Sequence, residues 1–244
     1  MDPHEAVKKI ITAHGGEEFW NSLSALEAEI SASGLLFKFK RRPVLDHVRV
    51  TACAHEARFR FHDFPSPGLT GELVGNSEVR IISSQGDIVR KRENPRSVFK
   101  SLSRQFSWDD LDFIYFGGYA TWNYLVAPFF FLKEGFDFKA LDPVKVSSTS
   151  LHRLKVTLPD GLPTHSREQI FYFDENWHLL RLDYVAEVVG GWAHAAHLCE
   201  NYREFNGLVA PTRRRVRPII LGDRPLPGPT LVALDIHDIL PVSR

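Results

Sequence analysis

WDDLDFIYFGGYATWNYLVAPFFFL, Trp108 to Leu132, decides how the rest of this chain is read. From Phe113 to Leu132 it carries no charge, and ten of the chain's aromatic side chains lie between Trp108 and Phe131. Ser107 is placed to cap a helix here, with Asp110 three residues on completing a capping box. Asp109, Asp110 and Asp112 lie where the helix dipole favours anions. Trp108, Leu111, Tyr115, Gly118, Trp122 and Val126 recur at three- and four-residue spacing, which makes one stripe. Phe113, Phe116, Ala120, Tyr124 and Ala127 make a second. A helix apolar all round lies inside a large core or in a membrane. Asn123, Pro128, the Gly117-Gly118 pair and the acidic N-terminal flank argue against a membrane span. The expectation is a buried central helix, with a membrane-surface role for the stretch as the lesser alternative. The remaining residues must then supply a wall around it.

That wall reads as strands. Pro3 to His14 is a short amphipathic helix stopped by Gly15-Gly16, and Glu17 to Leu23 adds a turn anchored by Phe19 and Trp20. From Leu26 the apolar period becomes two: Ala28, Ile30 and Ala32, then Leu35, Phe37 and Phe39 after a switch of face at Gly34. His47 to Phe61 reads as one long strand. Pro65 to Gly71 reads as a loop, and Glu78 to Ser84 with Asp87 to Lys91 as a hairpin. Pro95 to Arg104 is a basic connection. Phe136 to Leu141 and Val144 to Leu158 are further strands. His165 to Phe173, Trp177 to Val188, Trp192 to Phe205, Leu208 to Pro218 and Thr230 to Leu240 complete the set. The fold class is α+β: a strongly curved antiparallel sheet, a half-barrel, wrapped around a central aromatic helix in a single domain spanning residues 1–244. A closed barrel fills itself with strand side chains; here the helix fills part of the cup and leaves an apolar space beside it.

This arrangement resembles the half-barrel of the LolA/LppX-like lipoprotein carriers: an N-terminal helix, long strands, an aromatic helix, then further hairpins. The resemblance implies an acyl chain held inside the half-barrel, and export. MDPHEAVKKIITAHGG at the N-terminus has no apolar signal core and no lipobox cysteine. Cys53 and Cys199 are too few for a disulfide framework. On these residues the expected location is cytoplasmic.

Turn chemistry sets the register of the last strands. A Gly190-Gly191 turn places Tyr184 opposite His197 and Arg181 opposite Glu200. Asn206-Gly207 places Glu200 opposite Arg213, Cys199 opposite Arg214 and His197 opposite Val216. A three-residue loop Asp174-Glu175-Asn176 places Arg167 opposite Asp183 and Glu168 opposite Leu182. Opposite charges then meet on one face. The other face carries Glu168, Tyr172, Tyr184, His197 and Arg214 among apolar residues, the usual make-up of a ligand pocket.

Two functions fit that face. In the first, the protein binds a hydrophobic, acidic small molecule, with Arg214 meeting the acid and Tyr172, Tyr115, Tyr119 and Trp122 lining the pocket. In the second, a cofactor-independent cyclase, isomerase or lyase uses His197, Tyr184 and Glu168 as acid–base groups. His194 and His197 are three apart on a strand and point to opposite faces, so no metal site is expected. Alternation splits Arg213-Arg214-Arg215 across two faces, and net charge is zero. Nucleic acid is therefore not an expected partner. The chain has no P-loop, no G-x-G-x-x-G and no G-x-S-x-G, so no cofactor is called for.

Overall fold

The computed structural model describes residues 2–146, 149–220, 222 and 224–244. Among these residues thirteen strands form one antiparallel sheet. β1 (Leu23–Ser33), β2 (Leu45–Cys53), β3 (Arg58–His62), β4 (Leu69–Val74), β5 (Glu78–Ser83) and β6 (Ile88–Glu93) make the first half. β7 (Asp137–Val146), β8 (Thr149–Thr157), β9 (Glu168–Phe173), β10 (Leu179–Val185), β11 (His194–Phe205), β12 (Leu208–Pro218) and β13 (Val232–Ser243) make the second. Each strand pairs with its neighbour in sequence except β6 with β7, and β13 returns to pair with β1. The free edges are therefore β6 and β7, and the chain between them crosses the open side.

That crossing segment holds a short helix α4 (Leu102–Phe106), the central helix α5 (Asp110–Val126) and a 3-10 turn, Phe129–Leu132. All of α5 except Asp110 and Gly117 is buried, as its unbroken apolar run requires. Its cap is Asp109 with Asp112, each carboxylate accepting the other's backbone N–H at 2.9 Å, not the expected Ser107 with Asp110. The motif is the same one, displaced two residues, with an aspartate in the place usually held by Glu or Gln. The expected membrane-surface role for this stretch does not hold, because the sheet covers it. No helix among the described residues is long and apolar enough to cross a membrane.

Around α5 the core is aromatic. Trp20 of α2 (Glu17–Asn21) stacks on Phe129 with ring centres 4.3 Å apart. Phe113 meets Phe37, Phe61 and Phe64, and Phe131 meets Phe171 edge-on at 5.0 Å. Each such ring contributes a few kcal/mol by burial, about 3–5 if cut to Ala. α1 (Pro3–Ala13) buries Ala6, Ile10 and Ile11.

Three expected strands are different in the structure. Leu35–Phe39 is a short helix, α3, in which only Phe37 is buried. A five-residue apolar run does not distinguish the two periods. Gly34 (φ 137°) makes the turn into it, and a Cβ there would lie 2.3 Å from the Leu231 carbonyl oxygen. Gly34→Ala is expected to lower stability by about 2 kcal/mol, from positive φ and the clash together. A urea midpoint equal to wild type would rule this out. The expected strand His47 to Phe61 is the β2–β3 hairpin, whose turn has neither Gly nor Pro to announce it, and the expected loop Pro65 to Gly71 runs into β4. Val144 to Leu158 divides into the end of β7 and β8, and Ser147 and Ser148 of this expected strand lie outside the described residues.

Candidate functional site

Gly117 and Gly118 determine which side of the half-barrel α5 occupies. A Cβ on Gly118 would lie 3.1 Å from Leu73 Cβ, and one on Gly117 would lie 3.2 Å from Phe61 Cζ. Two bare backbone positions thus bring the helix close against β3 and β4. The opposite side is left underfilled, and a cavity of about 750 Å³ opens there. This is within the range of ligand pockets. Phe116 of α5, Tyr184 of β10, Ala195 of β11, Val216 of β12 and Val232 of β13 form its walls, with His165 from the loop before β9. Leu36, Phe39 and Lys40 from the α3 region, Phe106 of α4, Trp192 and Ile220 border it further. The lining is overwhelmingly apolar.

On its inner side, His165 and Tyr184 belong to one hydrogen-bonded cluster. His165 Nε2 lies 2.8 Å from the Tyr124 hydroxyl and Nδ1 lies 3.1 Å from the Tyr119 hydroxyl. The Tyr184 ring stacks on the imidazole at 4.0 Å, and its hydroxyl meets that of Tyr124 at 3.2 Å. Burial, reinforced by the Arg96 charge, pushes the His165 pKa down to about 3. The imidazole is therefore neutral, donating from one nitrogen and accepting at the other. Burial also raises the Tyr124, Tyr119 and Tyr184 phenols well above their usual value. Sequence reasoning placed His165 at the start of a strand and assigned it nothing. His165 lies next to Thr164 and Ser166, with no apolar alternation around it, so no period marked it.

The expected site residues are distributed as follows. Tyr184 is at the cavity. His197 is fully buried behind it, its ring edge-on to Tyr124 at 4.2 Å, and neither of its nitrogens has a partner among the described residues. Burial, with Arg214 and His165 adding to it, holds its pKa well below the usual value. Arg214 donates to the Tyr124 carbonyl at 2.5 Å and lies 3.3 Å from Cys199 Sγ. No carboxylate pairs with it among the described residues. Its counter-charge is the C-terminal end of α5, where free carbonyls carry partial negative charge. Trp122 donates to the Cys53 carbonyl at 2.9 Å, on the β2 side. The Tyr115 hydroxyl donates to Asn76 at 2.8 Å. Tyr119 reaches the cavity only through His165.

Glu168 and Tyr172 lie on the opposite face of β9 from the one expected. Glu168 pairs with Lys155 at 3.0 Å and is exposed; Tyr172 donates to Asp183 at 2.9 Å beneath the Arg181 guanidinium. The cause is the β9–β10 turn. Trp177 (φ 66°), not Asn176, takes the left-handed position, and a bulge follows between Leu179 and Arg181. Asp183 consequently pairs with Ile170 instead of Arg167, an odd shift, which reverses the face. The β10–β11 loop is longer than Gly190-Gly191 alone, so Leu182 rather than Tyr184 faces His197. That shift is even and leaves the face unchanged. The β11–β12 register is as expected, with Glu200 opposite Arg213 and Cys199 opposite Arg214.

No family model matches the chain, and no curated protein matches it. Solved structures do. A LolA superfamily protein from Nitrosomonas europaea superposes with TM-score 0.54 at 11% identity, covering 100% of this chain and 94% of its own. A DUF1329 family protein from Desulfovibrio piger gives TM-score 0.54 at 12% identity, over 99% of this chain and 94% of that one. A domain assigned to the outer membrane lipoprotein-sorting proteins, from Vibrio parahaemolyticus, gives 0.54 at 11%, over 97% and 90%. These neighbours correct the expected cytoplasmic location, since outer-membrane sorting points outside the cytoplasm. Few cysteines do not distinguish compartments for a chain with a core this large, which needs no disulfide in either. Sheet order, free edges and enclosed helix together give this chain the LolA-like half-barrel fold.

Proposed function

We propose that the protein binds a hydrophobic small molecule bearing an acidic group, outside the cytoplasm, with the apolar part in the 750 Å³ cavity. The observation that carries this reading is the cavity itself: apolar walls of residues from α5 and four strands, with one neutral polar cluster inside. The acid is assigned to the basic border rather than to Arg214. Lys40 lines the cavity and pairs with no carboxylate among the described residues; its ammonium donates to the Arg104 and Gln105 carbonyls. Arg214 lies behind Tyr124 and is already directed at the helix terminus.

The enzymatic alternative has less support. His165 has both nitrogens engaged and a pKa of about 3, which makes it a weak base near neutrality. His197 is sealed away from the cavity, and Glu168 is on the outer surface. In this reading Tyr184 and His165 hold the ligand by packing and hydrogen bonding.

Ala195→Trp tests the proposal, because the indole would project into the cavity. A fluorescent fatty acid is expected to bind wild type and to lose at least tenfold in affinity to the variant, about 1.4 kcal/mol or more. Equal binding by the two proteins would show that the probe sits elsewhere and would reject this cavity as the site. Native mass spectrometry of freshly purified protein then identifies the ligand class.

A further inference from the structure

Among the described residues, the most exposed large apolar side chains gather at one place. Phe39, Leu102, Phe106, Trp192 and Ile220 are between 67% and 77% exposed. All but Leu102 line the mouth of the cavity, and Leu102 is on α4 with Phe106. Five large side chains left in water at the rim of one opening form a patch of the kind that marks an interaction surface.

The charge around this patch indicates the partner. Zero net charge gave no reason to expect attraction to an anionic surface, but that total averages over a local asymmetry. Leu35 to Val44 contains Lys38, Lys40, Arg41 and Arg42 and no acid. Pro95 to Ser107 contains Arg96, Lys100 and Arg104 and no acid. The two segments adjoin, since Lys40 donates to the Arg104 and Gln105 carbonyls and the Trp108 N–H donates to Lys40. Arg42, Arg96 and Arg104 are engaged with Asp110, Glu187 and the α5 cap. Lys38, Arg41 and Lys100 are exposed and make no ion pair among the described residues. Three free cations therefore flank Phe39, Leu102 and Phe106. Aromatic and aliphatic side chains surrounded by Lys and Arg match the interface of an anionic bilayer, where rings lie among the headgroups and cations meet lipid phosphates.

We propose that the cavity rim, formed by α3, α4, Trp192 and Ile220, docks on an anionic lipid bilayer with the cavity mouth facing it. The proposal stands apart from the identity of any cavity ligand. It also differs from the surface role first considered for Trp108 to Leu132, whose aromatic side chains are buried. Docking would let a hydrophobic molecule pass between lipid and cavity without crossing water.

The experiment is co-sedimentation with vesicles of phosphatidylcholine alone and of phosphatidylcholine with about a third phosphatidylglycerol, at low and raised salt. Binding is expected to be roughly tenfold stronger to the anionic vesicles and to weaken with salt, as expected for several Lys and Arg at a charged surface. Trp192 fluorescence should shift to the blue on binding and be quenched by brominated lipid; Trp192→Phe should remove that signal. Lys38→Glu with Arg41→Glu should abolish the anionic preference, and Leu102→Ser should weaken binding to both vesicle types. These three residues lie outside the cavity lining, so fatty-acid binding by the variants should equal wild type. Wild type remaining in the supernatant with anionic vesicles would overturn the docking proposal. So would light scattering showing a dimer that hides Trp192, which would assign the patch to a second copy. Neither result would affect the cavity reading, which fails only with the fatty-acid assay.

Discussion

Lowering the pH from 7 to 5 is expected to remove about 6 kcal/mol of folding free energy, roughly 2 kcal/mol from each of three buried histidines. His14 is held down to about 4, chiefly by burial, against a hydrogen bond to the Ile10 carbonyl that acts the other way. His165 is held to about 3, and His197 well below its usual value. The unfolded chain takes up these protons as pH falls through about 6.5. The folded chain does not, until pH drops below the lowered values. Their contribution is therefore complete above pH 6.5 and shrinks steadily below it. The exposed His47, raised by its hydrogen bond to Glu29, acts in the opposite direction, but in open solvent. Urea midpoints at pH 7, 6 and 5 measure the effect, and a midpoint constant across that range would refute it. His197→Leu supplies the control. Its ring nitrogens have no partner to lose, so stability at pH 7 should change by less than about 1.5 kcal/mol. The slope below pH 6.5 should fall by about a third.

Asp112→Ala is expected to cost about 4 kcal/mol at neutral pH. Its carboxylate is wholly buried, 2.5 Å from Arg92 Nη1 and 2.7 Å from Arg104 Nε, and it also accepts the Asp109 N–H. Removing one member of a buried ionic group typically costs about 3–5 kcal/mol; Arg92 and Arg104 keep Asp109 but lose their buried partner, and half of the capping box goes with it. Asp112→Asn keeps an acceptor for the cap and should lose less. Burial works against the charge on Asp109 as well. The bonds from Arg92 and from the Asp112 N–H, with the Arg104 charge, outweigh it and hold that carboxyl at about 2. Its contribution therefore persists until pH falls below about 4, outside the range in which the histidines act. Because Arg104 ties α4 to this cap, the alanine variant should also weaken fatty-acid binding at the rim. A variant within 1 kcal/mol of wild type in urea would show that the cluster is ornamental.

The architecture was legible because it rests on long, redundant signals. The uncharged run from Phe113 to Leu132 required enclosure, and alternation over Ala28, Ile30 and Ala32 or Val232, Leu234 and Ile236 marked the enclosing strands. The site was less legible because it depends on single residues in turns. One left-handed residue at Trp177 in place of Asn176, with the bulge after it, reversed β9 and moved Glu168 and Tyr172 outside. The Asn206-Gly207 turn, whose two residues allow few alternatives, was read correctly, and with it the inward positions of His197 and Arg214. His165 lay in a segment without periodicity, and its partners Tyr119, Tyr124 and Tyr184 come from distant parts of the chain. The rim was hidden for another reason: its basic segments are cancelled in the net charge by acids elsewhere.

Arg214 beneath the last turn of α5 and Asp112 in its first turn give the molecule an uneven compliance. The helix is 17 residues long, about 25 Å, and a buried charge secures each end. Sliding or rotating it would strip Arg214 from the Tyr124 carbonyl and Asp112 from two arginines at once. The inner wall of the cavity therefore stays stiff. The opposite border is built from the two five-residue helices and the loop bearing Trp192, and of the two helices α4 is tied to the α5 cap through Arg104 while α3 makes no ion pair among the described residues. For the ligand proposed above, adjustment to length would fall to that border, so the cavity would measure the width of a ligand strictly and its length loosely.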